Sequence, residues 1–210
     1  MAFELQFLGA TERVTGSLYL LRAGEAQIVL ECGLVQGIPD EEAHNREPFP
    51  FDIDAIDAVV ISHSHIDHSG RVPLLVKQGY AGPVYTHEAS KALCEIMLPD
   101  SGYLNEQEAE WESRKRAKQG RVPFRPLYTR EEAVACIAQF QGLEYEAPAE
   151  IVPGVTLTLF DAGHILGASI VQLEYDCLLY TSDAADELRS VVMSGVGVAV
   201  LGGGGGGGGG

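Results

Sequence analysis

His63-Ser64-His65-Ile66-Asp67-His68-Ser69-Gly70 places four candidate metal ligands within six residues. The stretch follows Ala58-Val59-Val60-Ile61, an apolar run that reads as a buried strand. Three of the chain's six histidines sit here with an aspartate between them, too dense for chance polar residues in a loop. Neutral imidazole and carboxylate are the ligands that borderline divalent ions prefer, Zn²⁺ above all.

Spacing divides the ligands into two sets. At the end of an extended strand, His63 and His65 are two residues apart and point the same way. Asp67 and His68 follow where the chain turns, so they address a second point nearby. That arrangement suits two ions about 3.5–4 Å apart, which together clamp both oxygens of an in-line displacement. The first ion still needs a third protein ligand. His164 is the candidate, in the glycine-bounded loop Gly163-His164-Ile165-Leu166-Gly167 between two predicted strands.

Outward from this loop, the N-terminal part reads as strands. Phe3–Leu8 alternates, and Ser17–Arg22 and Gln27–Glu31 form a hairpin around Ala23-Gly24-Glu25. Residues 35–51 read as a long polar loop. Beyond the histidines the pattern predicts helices over 72–78, 87–98, 106–118 and 129–138, with strands over 83–86, 143–146, 155–160 and 169–174. Sheets flanked by helices, an α/β class, follow from this order.

Composition bounds the function. The chain carries 14 Lys+Arg against 30 Asp+Glu, a net charge of −16. That balance gives no general affinity for phosphate backbones, although a local basic groove suffices for RNA. No apolar run is long enough to span a bilayer, and the N-terminus shows no secretory signal. Cys32, Cys94, Cys136 and Cys177 are widely spaced without a Cys-x-x-Cys pair, which suits a reduced, cytoplasmic protein.

The C-terminal segment stands apart. Cys177 to Asp186 (CLLYTSDAAD) reads as the translation of a transposase-type sequencing adapter, and residues 202–210 are unbroken glycine. The sequence therefore divides into 1–176, the N-terminal part of a catalytic domain, and 177–210, a non-native tail. The tail holds one basic and three acidic residues, so the acidic balance does not come from it.

Five stretches, GATERVTGS (9–17), ECGLVQG (31–37), NREPFPFD (45–52), VVISHSHIDHSGRVP (59–73) and DAGHILGAS (161–169), resemble the metallo-β-lactamase superfamily, and within it the β-CASP branch of RNA- and DNA-processing nucleases. The resemblance implies an αββα sandwich, incomplete here, with metals at the edge between its sheets. It implies one zinc on His63, His65 and His164 and a second on Asp67 and His68, with Asp67 also handling the proton of the attacking water. The implied reaction is phosphodiester hydrolysis, RNA the implied substrate, and a homodimer the compatible assembly. Glu31 stands where the family usually has Asp beneath the metal loop, so that support is altered in arm length. The family's bridging Asp is missing after strand 169–174. Asp183 lies near the expected distance but inside adapter-like sequence and is not assigned. A late histidine and the β-CASP domain are also missing, so this chain is expected to be an inactive fragment with sub-stoichiometric zinc.

Other readings compete. A thioesterase or lactonase of glyoxalase II type has a similar site but lacks the helical stretch from His87 to Ala138. A non-catalytic assembly member usually loses ligands, and none of these five is lost. GATERVTGS has no Lys after its last glycine, so it is no phosphate-binding P-loop. His44 and His87 read as solvent-facing or capping residues. Arg114, Lys115, Arg116, Lys118, Arg121 and Arg125 form the one basic cluster, read equally as an RNA contact or a solvated helix end.

Overall fold

The computed structural model describes the backbone of residues 3–176, 188–194 and 197–202 and the side chains of 4–175. The first sheet comprises β1 (Phe3–Phe7), β2 (Leu18–Ala23), β3 (Ala26–Cys32), β4 (Ala58–Val60), β5 (Val84–His87) and β6 (Phe140–Leu143), paired in that order. β1 to β3 are antiparallel and β3 to β6 parallel. The second sheet is antiparallel, with β7 (Ala149–Val152), β8 (Val155–Asp161), β9 (Ser169–Asp176), β10 (Leu188–Ser194) and β11 (Gly197–Gly202). β10 and β11 fall in the segment set apart as a tail. Residues 177–187, 195–196 and 203–210 lie outside the described residues, Asp183 among them.

Strand alternation builds two cores. Leu21, Ile28, Leu30, Ala58 and Val60 face Leu157, Leu159, Val171 and Leu173 of the second sheet. Leu20, Val29, Val59 and Ile61 turn the other way, onto a helical layer. β4 is buried on both faces, which is why its sequence is an apolar run rather than an alternation. The helices are α1 (Glu41–Asn45), α2 (Ile66–Ser69), α3 (Val72–Lys77), α4 (Glu88–Ala117) and α5 (Arg130–Cys136). The result is helix, sheet, sheet, three layers of the αββα sandwich. Among the described residues no helix lies on the outer face of the second sheet.

Four details differ from expectation. The helices expected over 87–98 and 106–118 are one 30-residue helix, α4, with Pro99 inside it. Proline removes a helical N–H and usually ends or kinks a helix. Here Pro99 and Gly102 are buried, and a Cβ on Gly102 would come 2.8 Å from the Arg130 Cα, so close packing on α5 carries the helix through. The strand expected over 143–146 runs instead over Phe140–Leu143, anchored by buried Phe140 opposite Val84. The polar loop 35–51 contains the single turn α1. The helix over 129–138 is shorter, but its Thr129/Glu132 capping box is formed.

Tyr128 fixes the metal loop to the helical layer. Its ring is fully buried, its hydroxyl donates to the Gly70 carbonyl at 2.8 Å, and Ser101 Oγ lies 2.8 Å away. Gly70 caps α2, the turn that carries Asp67 and His68.

Candidate metal centre

The site forms where β4 ends and α2 begins. His63 is buried, His65 half-buried and His164 exposed. His63 Nε2 lies 3.0 Å from His65 Nδ1, which lies 3.3 Å from His164 Nε2. Three ring nitrogens thus converge on one point. Tetrahedral zinc at ~2.0–2.1 Å from each nitrogen separates its ligands by about 3.3 Å, close to these two separations, and the three ligand atoms all lie within 4.8 Å of one another. Ser62 Oγ meets His63 Nδ1 at 2.9 Å, in a buried contact that leaves Nε2 for the ion.

Asp67 and His68 converge separately. Asp67 Oδ2 lies 3.6 Å from His68 Nε2. The His63 and His68 ring centroids are 4.2 Å apart, so the second point adjoins the first. The five residues singled out in the sequence lie near one another, His63, His65 and His164 as one group and Asp67 with His68 as a pair. His44 and His87 stand elsewhere. His44 meets Glu47 at 3.1 Å on the surface, and His87 accepts from the Ala89 N–H as the cap of α4.

Glu31 takes up its longer arm through the backbone. In the β2–β3 ladder Leu18 pairs with Cys32 and Tyr19 with Leu30, which leaves Glu31 as the extra residue of a bulge. Its φ is 62°, a left-handed conformation that costs a non-glycine residue about 1–2 kcal/mol. The bulge turns the carboxylate under the site. Oε1 accepts from the Ser62 N–H at 2.9 Å and Oε2 meets His68 Nδ1 at 3.2 Å. One side chain therefore supports both ligand sets. Glu31→Gln keeps an acceptor for Ser62 but presents an amide to His68. It is expected to lower stability by about 2 kcal/mol, read as a Tm drop of roughly 4–8 °C; an unchanged Tm would show that the His68 contact contributes nothing.

The charges of the cluster follow from burial and crowding. Burial, then the neighbouring His68, His65 and His164, pushes His63 down to about 3. Burial also pulls His68 down, but the hydrogen bond and charge of Glu31 and the charge of Asp67 outweigh it, and the net direction is up. His63 takes its proton only on unfolding. Its contribution to the metal-free chain is complete above pH 6.5 and is lost as the pH falls toward about 3. His68 has the opposite sign, stabilising at low pH and losing that contribution as the pH rises through its raised value. Melts of chelator-treated protein are expected to show Tm falling below pH 6.5, with a shallower slope in His63→Phe. Equal slopes would remove His63 as the cause.

The flanking motifs are the mounts of this centre. Ser17 N–H donates to the Asp67 carbonyl at 3.0 Å and Leu34 N–H to the Ile66 carbonyl at 2.9 Å. Gly33 packs so closely that a Cβ would stand 1.7 Å from the Asp67 oxygen. On the far side Ser169 N–H donates to the Ser62 carbonyl at 2.9 Å, joining β9 to the metal strand. Buried Ser90 Oγ donates to the Gly167 carbonyl at 2.7 Å and ties the His164 loop to α4. Sequence reading missed Ser62, Ser90 and Ser169 as supports. For Ser62 the signal was its place next to His63; for the others no local pattern exists.

Three of the six residues of the basic cluster are ion-paired. Arg114 meets Glu110, and Lys115 and Arg116 meet Glu112. Arg116 and Arg46 each lie over the Phe124 ring, at 4.5 and 4.3 Å.

The Metallo-beta-lactamase superfamily model matches residues 11–167. Ribonuclease TTHA0252 of Thermus thermophilus is 34% identical over 186 residues, which are 88% of this chain and 38% of that protein. Transcription termination factor FttA of Methanococcus maripaludis is 32% identical over 175 residues, 83% of this chain and 25% of that one. The chain thus spans well under half the length of these relatives. Among solved structures, a B3 metallo-β-lactamase with an active-site glutamic acid aligns with TM-score 0.51 at 13% identity, covering 90% of this chain and 59% of that one. That likeness concerns the fold alone.

Proposed function

The chain belongs to the metallo-β-lactamase superfamily, and from that premise we propose that it is the metal-binding part of a zinc-dependent phosphodiester hydrolase acting on RNA, of β-CASP type. One observation carries the reading: three imidazole nitrogens meet at 3.0 and 3.3 Å beside an Asp67/His68 pair at 3.6 Å. The donor set is nitrogen and carboxylate oxygen, which fits zinc. His63, His65 and His164 would hold one ion, and Asp67 and His68 would contribute to a second. Such ions supply a lowered pKa for water and a positive counterpart for a phosphoryl oxygen.

The chain's own residues do the rest. Glu31 and Ser62 hold His68 and His63 in the ring orientations that free their Nε2 atoms. Asp67 is partly exposed, and its Oδ1 has no partner among the described residues, so it can receive the proton that water gives up. RNA is favoured as substrate because the relatives include a ribonuclease and a transcription termination factor. A cytoplasmic location and a homodimer complete the reading. No helix among the described residues is long and apolar enough to cross a membrane. The 177–210 tail belongs to it too, as non-native sequence.

The test uses residues 1–176 joined to their native continuation. Labelled single-stranded RNA is expected to be cut in a chelator-sensitive reaction that Asp67→Asn abolishes. Hydrolysis of a thioester or lactone without RNA cleavage would overturn the proposal in favour of a glyoxalase II-type enzyme, and no hydrolysis of any of them would favour an assembly role.

A further inference from the structure

Beside the metal centre lies a cavity of about 280 Å³, lined by His87, Tyr145, Asp161, the His164 loop and Leu166. We infer that it takes a single nucleobase of the substrate strand, stacked on the His87–Tyr145 ring pair next to the metal ligands. This rests on the phosphodiesterase reading above and goes beyond it by giving the base its own place.

The wall of the cavity is what points to a base. The rings of His87 and Tyr145 are stacked at 3.9 Å between centroids and 20° between planes. They come from distant parts of the chain, β5 and the segment after β6, and each is held by its own polar contact. His87 Nδ1 accepts from the Ala89 N–H at 3.1 Å, and the Tyr145 hydroxyl donates to the Ala168 carbonyl at 2.9 Å. Neither ring is free to turn away. Aromatic side chains bind single-stranded nucleic acid because every base has a π-face to lay on them.

The rest of the cavity suits the edges of that ring. With Nδ1 accepting, neutral His87 carries its proton on Nε2, and this N–H has no partner among the described residues. Asp161 uses Oδ1 to accept from the Gly163 N–H at 2.8 Å, which leaves its other oxygen for an exocyclic amine. A donor and an acceptor on one cavity match the ring nitrogen and amino group that adenine and cytosine display. Leu166, 72% exposed, supplies an apolar side chain at the same opening. The volume lies just below the ~300–1,000 Å³ of pockets that enclose drug-sized molecules, which is room for one base. The carboxylate argues against a phosphate here and does not oppose a neutral base.

Position gives the cavity its meaning. His164 lies in its lining and also sits 3.3 Å from His65 in the metal cluster. A base seated there leaves its sugar and phosphate beside His164 and His65, which would hold an ion. The His87–Tyr145 pair would then help position the strand for cleavage without touching the reacting atoms.

Adenosine and ribose test this on the full chain, since neither carries a phosphate to seek a metal. Saturation-transfer NMR is expected to show the adenine protons of adenosine receiving magnetisation and ribose receiving none. His87→Asn keeps an N-cap acceptor while deleting the ring, and it is expected to weaken adenosine binding about 5- to 150-fold, the range for losing one base stack. Tyr145→Phe keeps the ring and is expected to stay within about twofold. Adenosine binding equally well to His87→Asn, or ribose giving signals equal to adenosine, would overturn the inference. Zinc measured on the same samples separates the two readings. Normal zinc with no base-dependent binding sinks the base cavity alone, and absent zinc with ring-dependent adenosine binding sinks the hydrolase reading while the cavity stands.

Discussion

His63→Ala/His65→Ala protein is expected to retain almost no zinc where the wild-type chain retains up to about one ion. The expectation follows from how the ligands are grouped. The three imidazoles converge within 3.3 Å of their neighbours, whereas Asp67 and His68 stand as a pair. An ion with three protein ligands and one open position is a stable catalytic arrangement, and one with two ligands is not. Removing His63 and His65 leaves only exposed His164 at the first point. Elemental analysis after gel filtration, with protein and zinc at micromolar levels, reads the difference directly. A second readout is thermal. Zinc that binds only the folded chain raises Tm by mass action, and the double variant should show no such rise. Equal zinc in wild type and variant would refute these ligands outright. Zinc lost equally in Asp67→Ala/His68→Ala would show that the two sets act as one centre.

Much of this candidate centre is legible in the sequence because its residues are close together and their spacing is geometric. His63 and His65 project alike from an extended strand end, and the turn at Ile66 re-aims Asp67 and His68. His164 was harder, 99 residues from His65, and was reached through its glycine-bounded loop. What stayed hidden is what tertiary contact alone creates. Glu31 reaches His68 because a bulge puts it in a left-handed conformation, and no strand pattern announces a bulge. The His87–Tyr145 stack joins residues that share no local motif. The pattern predicts two helices over 87–98 and 106–118, and the burial of Pro99 and Gly102 against neighbouring elements joins them into one. The glycines of ECG and GHILGAS were visible, but which of them are packing necessities shows only in what a side chain would strike.

Gly33→Ala puts that necessity to a measurement, with an expected loss of about 3 kcal/mol, the upper end for overpacking. An added Cβ would stand 1.7 Å from the Asp67 carbonyl oxygen and 2.1 Å from its carbon. Neither atom belongs to a flexible side chain, so β3 and α2 must part. Parting them stretches the Ser17-to-Asp67 and Leu34-to-Ile66 backbone hydrogen bonds, which hold the metal turn from the same side. The expected Tm drop is roughly 6–12 °C for a chain of this size, and zinc should fall with it because Asp67 and His68 ride on the displaced turn. Gly37→Ala separates crowding from the mere loss of a glycine. Gly37 has φ +75°, but a Cβ there meets nothing within 4 Å. Its cost is the backbone term alone, about 1 kcal/mol, and its zinc should match wild type. If the two variants melt together, close packing of Gly33 on the metal turn is not what holds that turn in place.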